Sequence, residues 1–212
     1  MKSTPRKLRN GNWETYFQFA AGPKGDPSQL TVEQLRKMWE PAAQGKVTNW
    51  KQVDASFPDA ALKLFGAGSD SGTFDYFTEV INGEVDASRS DYTASEDDNT
   101  LVQGISGSKY SLGYFGLAYV TENEGKVKAV PVDGGNGCTA PTAEATNSGA
   151  YAPLGRPLFV YPSRAALERP EVAAFFRFYL ENASALSESV GYIGLGDADM
   201  SASKATLEDA LK

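Results

Sequence analysis

The chain contains no histidine and only one cysteine in its 212 residues. Without histidine, the Ser-His-Asp and Cys-His catalytic arrangements are excluded, and the commonest transition-metal ligand is missing. Cys138 alone can form neither an internal disulfide nor a cysteine-rich zinc site, and we interpret it as a small packing residue. We therefore expect no metal site and no catalytic residues.

The chain also lacks a basic surface, a long apolar run and the usual nucleotide-binding loops. Its formal net charge is −7, and no basic cluster follows the first nine residues, so nucleic acid is not an expected partner. No apolar stretch approaches the length of a membrane span. Gly-Lys-Ser/Thr does not occur, and Ser71 replaces the third glycine of a dinucleotide fingerprint. We therefore expect no cofactor.

The most informative stretch that is present runs from Gly66 to Phe77 and reads GAGSDSGTFDYF. It follows Leu62–Phe65, whose alternation predicts a short strand, and leads into apolar residues with helical spacing. The N-terminus of a helix carries unpaired N–H groups and about half a positive charge. An oxyanion can therefore bind there without a basic side chain. The alternative, which this stretch alone does not separate from the first, is that Ser71 or Thr73 only caps the helix.

Helices and strands alternate from Thr31 onward, which predicts an α/β layered fold. A capping box begins a helix at Thr31, and the acidic residues 96–98 predict the start of another. An apolar strand is expected at Leu158–Tyr161, followed by a helix that begins at Pro170. A last helix is expected near 203–211.

Residues 1–29 differ from the rest of the chain. A basic start is followed by Asn10–Glu14, which is not the apolar core of a signal peptide. The stretch 22–27 is a turn-rich linker. We expect poor order over much of this segment, with one short strand between Trp13 and Phe19.

Three motifs follow one another along the chain, namely Ser69–Phe77, Ser88–Asn99 and Leu112–Gly116. Together they resemble the phosphate-binding proteins of ABC-type phosphate importers, and shorter matches extend the resemblance from Leu30 to about Gly194. The resemblance implies the two-lobed α/β sandwich of type II periplasmic binding proteins, which closes around one phosphate. Here it would comprise one fairly complete lobe and part of the other.

The resemblance also implies a division of the chain into three parts. Residues 1–29 would be a divergent, poorly ordered segment, 30–155 a central α/β lobe with the anion site, and 156–212 a crossover strand and helices of the incomplete second lobe. Family members carry an upstream Gly-Ser-Ser-Thr turn and an aspartate that supply half of the site, and we do not find that turn before Leu30. We therefore interpret the chain as the C-terminal part of such a protein behind an unrelated or misread start.

The family's phosphate ligands correspond here to Ser71, Gly72 and Thr73, through hydroxyl and backbone N–H groups. The family also uses an arginine against the phosphate. In many members this arginine lies just before the Ser-Gly-Thr, where this chain has Ala67 and Ser69. Arg89 is therefore the candidate for that role. The alternative is that Arg89 is a surface residue that pairs with Asp91 or Glu84.

The function implied by the resemblance is the binding of inorganic phosphate for delivery to the membrane permease of an ABC importer. The protein would be a monomer in the periplasm or the extracellular cell envelope and would not be an enzyme. We expect binding to be weak, because half of the site is not found. Two alternatives stay open: a truncated or degenerate member without a ligand, and a phosphatase or esterase with Ser71 as nucleophile, which the lack of a histidine base disfavours.

Overall fold

The structure is a computed structural model that describes residues 28–107, 109–157, 159–190 and 192–212, and the backbone alone for 12–19, 117–118 and 156–157. Helices and strands alternate along the chain, which confirms the α/β prediction. The strands are β1 (Asn12–Phe19), β2 (Leu30–Thr31), β3 (Lys63–Ala67), β4 (Thr93–Ser95), β5 (Ser111–Gly116), β6 (Lys128–Ala129), β7 (Val132–Asp133), β8 (Cys138–Thr139) and β9 (Gly155–Pro157). The helices are α1 (Val32–Trp39), α2 (Trp50–Val53), α3 (Gly72–Phe77), α4 (Asp98–Ser106), α5 (Leu117–Glu122), α6 (Ala143–Asn147), α7 (Arg164–Leu167), α8 (Pro170–Ser189) and α9 (Asp197–Ala210).

The chain divides into two compact units. The larger one is Glu14–Gly155, and the smaller one combines Met1–Trp13 with Arg156–Lys212. The three-part organisation predicted above, with its own boundaries and its assignment to lobes, stays a prediction.

A mixed sheet forms the centre of the larger unit, with the strand order β4-β3-β5-β1-β6. The strands β4 and β5 both run parallel to β3, with Ala67 opposite Ser95 and Leu64 opposite Leu112. The aromatic strand expected within residues 1–29 is observed as β1, which pairs antiparallel with β5 and β6. Because β3, β4 and β5 are parallel, their carboxyl ends meet at one edge, where α3, α4 and α5 begin.

Aromatic residues fill the core of the larger unit. The ring of Phe77 stacks on Tyr114 with centroids 3.9 Å apart, and Trp39 meets Tyr114 edge-on at 4.9 Å. A Cβ atom on Gly66 would lie 2.5 Å from the Tyr114 ring, so this position in β3 requires glycine. The core therefore fixes the strand that leads to the candidate site.

Two predicted helix starts are confirmed. The Thr31 hydroxyl accepts the Gln34 N–H at 3.1 Å and the Gln34 side chain accepts the Thr31 N–H at 3.0 Å, so the capping box begins α1. Asp97 caps α4 by accepting the N–H of Asn99 at 3.0 Å. Both caps satisfy N–H groups that have no partner within the helix.

The smaller unit contains α7, α8 and α9, and an ion pair joins the last two, with the Nε of Arg177 2.7 Å from Glu208. The prediction of a strand at Leu158–Tyr161 is wrong for its described part, because Phe159–Tyr161 belong to no strand. Pro162, which follows Tyr161, has no N–H to donate to a ladder, which disfavours a strand at this end. The last helix is longer than expected, because it begins at Asp197.

Candidate functional site

The candidate site is the anion cradle, defined here as residues Gly68–Phe74. It joins the carboxyl end of β3 to α3, which continues as a π turn over Thr78–Asn82. In open α/β sheets, ligands bind beside the carboxyl ends of parallel strands. The fold therefore places the predicted anion site at the edge where such sites occur.

Ser71 caps α3, as one of the two interpretations of this stretch predicted. Its backbone is extended, with φ −104° and ψ 127°, and its Oγ accepts the N–H of Thr73 at 3.2 Å. A hydroxyl that accepts this bond still has its own O–H to donate. Capping by Ser71 is therefore compatible with binding of an anion by the same side chain.

The cradle retains backbone donors. In the part of the chain that the structure describes, the N–H groups of Gly72 and Phe74 have no hydrogen-bond acceptor. Ser71 and Gly72 are partly exposed, whereas Thr73 is buried with 6% of its surface accessible. Analysis of the sequence did not single out Phe74, although its position as the third residue of the helix is the signal for a free N–H.

A carboxylate lies against the cradle. Glu96, which follows β4, accepts the N–H of Asp70 at 3.2 Å. A Cβ atom on Gly68 would lie 2.1 Å from the same carboxylate oxygen, so glycine leaves the room that Glu96 occupies. The sequence indicated only that residues 96–98 begin a helix, and this contact was missed.

The predicted ligand Arg89 is buried, with 4% of its side chain accessible, and makes hydrogen bonds in several directions. Its Nε and Nη2 donate to the two carboxylate oxygens of Asp91 at 2.5 and 2.9 Å, and its Nη1 donates to the carbonyls of Met38 and Val47 at 3.0 and 2.9 Å. The hydrogen bond from Arg89 lowers the pKa of Asp91 to about 2. The pairing of Arg89 with Asp91 agrees with the alternative given above, but Arg89 is not at the surface. A role of Arg89 in anion binding stays a prediction.

Ion pairs between described residues do not involve the cradle. The residues Asp70, Asp75 and Glu96 are acidic. Among the described groups of the cradle, the N–H groups, the hydroxyls and the helix dipole are those that favour an anion.

Metal binding and cysteine chemistry gain no support from the described residues. They contain no group of three or more His, Cys, Asp or Glu side chains that could hold a metal ion. Cys138 is exposed on β8, so its interpretation as a packing residue is wrong; this strand has two residues and pairs with β7 at one edge of the described three-stranded sheet. Desolvation, and then the charge of Asp133, raises the pKa of the thiol.

A parallel α/β layer with a glycine- and serine-rich cradle at its carboxyl edge is typical of small-ligand binding domains. The family model described as "PBP superfamily domain" matches residues 17–183. The chain therefore belongs to the PBP superfamily, and the predicted fold class is confirmed. No helix within the described ranges is both long and apolar enough to span a lipid bilayer.

Known proteins similar to the chain agree with this assignment. The crystal structure of a possible phosphate binding protein from Planctomyces limnophilus DSM 3776 is 44% identical, with a TM-score of 0.85 over 95% of this chain and 71% of that chain. Protein SphX of Synechocystis sp. PCC 6803 is 47% identical over 200 residues, which are 89% of this chain and 60% of SphX. Phosphate-binding protein PstS of Staphylococcus saprophyticus is 30% identical over 187 residues, 86% of this chain and 56% of PstS. The chain thus spans between half and two thirds of the length of these curated relatives.

Proposed function

We propose that this chain binds inorganic phosphate at the anion cradle and belongs to a substrate-binding protein of an ABC-type phosphate importer. The observation that carries the proposal is the Ser71–Phe74 turn, where the parallel strand β3 leads into α3 and where the N–H groups of Gly72 and Phe74 have no acceptor among the described residues. The names of the relatives from Planctomyces limnophilus and Staphylococcus saprophyticus support phosphate as the ligand.

The cradle would bind phosphate through neutral donors. The hydroxyl of Ser71 and the N–H groups of Gly72 and Phe74 would each donate to a phosphate oxygen, and the hydroxyl of Thr73 would donate from the buried side. Hydrogen bonds to an ionised acceptor are about twice as strong as bonds between neutral groups. The dipole of α3 adds a favourable interaction at the same end of the helix.

We assign Arg89 to the scaffold rather than to the ligand. Its guanidinium joins the loop at Asp91 to two backbone carbonyls, those of Met38 in α1 and of Val47. A phosphate contact would require the loss of bonds that are short and largely shielded from water. Arg89 also precedes the amino end of β4, whereas the cradle lies at the carboxyl end of the adjacent parallel strand.

The same proposal covers partners and location. The protein would act outside the cytoplasmic membrane, as a monomer, and would pass phosphate to the membrane permease of the importer. The motif resemblance described above supports this role. It would be a binding protein and not an enzyme: the one contact of the Ser71 Oγ within the described residues is the N–H of Thr73, which cannot act as a base.

Two substitutions of Ser71 separate capping from phosphate binding. Ser71→Ala removes the cap and a donor, and we expect a loss of about 1 kcal/mol of stability and at least about tenfold weaker phosphate binding. Ser71→Asp keeps a capping oxygen but places a carboxylate in the cradle. We therefore expect Ser71→Asp to unfold like the wild type and to lose phosphate binding.

Isothermal titration calorimetry with phosphate, together with urea denaturation of each variant, provides the measurement. If Ser71→Ala lowered stability and left phosphate affinity unchanged, Ser71 would be a cap alone. If the wild-type chain bound no phosphate, the degenerate member considered above would be the better interpretation.

A further inference from the structure

The carboxylate of Glu96 occupies a donor of the cradle. Its Oε1 accepts the N–H of Asp70 at 3.2 Å, and Asp70 directly precedes Ser71, the first residue of the proposed phosphate site. A carboxylate has two acceptor oxygens and a negative charge, as an oxyanion has. The cradle therefore already binds an anionic group that belongs to the chain itself.

The backbone brings Glu96 to this place. Strands β3 and β4 are parallel with Ala67 opposite Ser95, so the residues that follow them leave the sheet side by side. The N–H of Gly68 bonds to the carbonyl of Ser95 at 3.3 Å, which continues the pairing up to Glu96. Gly68 has no side chain, and a Cβ atom there would meet the Glu96 carboxylate at 2.1 Å.

Asp97, the residue after Glu96, does not share the contact of Glu96 with the cradle. Asp97 is equally acidic and exposed, but its Oδ1 caps α4 by accepting the N–H of Asn99. Its carboxylate is thus directed to its own helix and makes no hydrogen bond to the cradle within the described residues. Of the two neighbouring acidic residues, Asp97 therefore caps a helix and Glu96 contacts the cradle.

We propose that Glu96 competes with the bound oxyanion for the cradle and so lowers the affinity of the site. The proposal rests on the phosphate site proposed above. Glu96 is held at Asp70, directly beside the donors of Ser71, Gly72 and Phe74 that we assign to phosphate, and two negative charges at one turn repel each other. Glu96 is exposed, so its carboxylate is accessible to an anion that enters the cradle.

Two roles of Glu96, competition with the anion and selection of phosphate over sulfate, predict different binding results. A carboxylate that accepted a hydrogen bond from protonated phosphate would favour phosphate over fully ionised sulfate. A carboxylate that repels the bound anion weakens the binding of both anions, and it weakens sulfate at least as much because sulfate carries at least as high a charge. The comparison of phosphate with sulfate therefore decides which role Glu96 has.

The test is calorimetric titration of the wild type, Glu96→Gln and Asp97→Asn with phosphate and with sulfate. Asp97→Asn is the matched control, because it removes the same charge one residue away and asparagine is an equally good cap. We expect Glu96→Gln to bind both anions about tenfold more tightly, which corresponds to about 1.4 kcal/mol, and Asp97→Asn to change affinity far less. Equal effects of the two variants, an unchanged affinity in Glu96→Gln, or weaker phosphate binding with stronger sulfate binding would overturn the proposal.

A second measurement separates this proposal from the phosphate site itself. In phosphate-free buffer, Glu96→Ala should move the amide resonance of Asp70 in the NMR spectrum and increase its hydrogen exchange, whereas Asp97→Ala should not. An unchanged Asp70 amide would show that Glu96 does not hold the cradle and would overturn the competition. If that amide changed but neither the wild type nor Glu96→Gln bound phosphate, the proposed function would fail, and the competition for an oxyanion with it.

Discussion

Replacement of Arg89 tests whether this residue supports the fold or binds the ligand. Arg89→Ala removes two hydrogen bonds to Asp91 and leaves the carbonyls of Met38 and Val47 without their donor. Removal of one partner of a buried ion pair costs about 3–5 kcal/mol. The side chain of Asp91 is 35% exposed and regains water, so we expect the lower end, about 3 kcal/mol.

The assay is urea denaturation followed by tryptophan fluorescence, with phosphate affinity measured on the same preparations. Arg36→Ala is the control: its Nε lies 3.9 Å from Glu40 and its side chain is 58% exposed, so its loss should cost less than about 1 kcal/mol. We expect Arg89→Ala to lower the urea midpoint strongly. Under conditions where Arg89→Ala is still folded, it should bind phosphate nearly as the wild type does.

The opposite result would refute this reasoning. If Arg89→Ala unfolded at the wild-type urea concentration but had lost its phosphate affinity, Arg89 would be a ligand, as the family resemblance implied. The bonds to Asp91 and the two carbonyls would then have to be exchanged for phosphate on binding.

Two further predictions concern the larger unit. The Arg89 hydrogen bond depresses the pKa of Asp91 from 3.8 to about 2, so the stabilising effect of this bond is present above about pH 4 and is lost as the pH falls towards 2. The stability of Asp91→Asn should therefore depend less on pH in that range than the stability of the wild type. An identical dependence in acid denaturation would contradict the assignment. Gly66→Ala places a methyl group 2.5 Å from the stacked ring of Tyr114 and should cost about 2 kcal/mol in urea denaturation. Gly196→Ala, which meets no atom within 4 Å, serves as its control, and equal effects of the two would contradict the packing argument.

The position of the cradle could be predicted because its signals are local. An alternating strand, a run of small residues and a helical apolar pattern are adjacent in sequence, and each has a short-range physical cause. The capping box at Thr31 has the same character. These elements need no knowledge of how distant segments pair.

The roles of Arg89 and Glu96 depend on contacts that no local pattern encodes. Arg89 bonds to the carbonyls of Met38 and Val47, which are 51 and 42 residues away in sequence. Glu96 reaches the N–H of Asp70 only because β3 and β4 pair in parallel with one particular register. A sequence shows that such residues are charged, but the sheet decides what they face.

The most direct test of the central claim is an NMR titration of the wild-type chain with phosphate, observed at each backbone amide. The account predicts saturable downfield shifts of the Gly72 and Phe74 amide protons, because these donors would bind the phosphate oxygens. Saturable shifts that left the amides of Gly68–Phe74 unchanged, or no saturable shift anywhere, would contradict a phosphate site in the cradle.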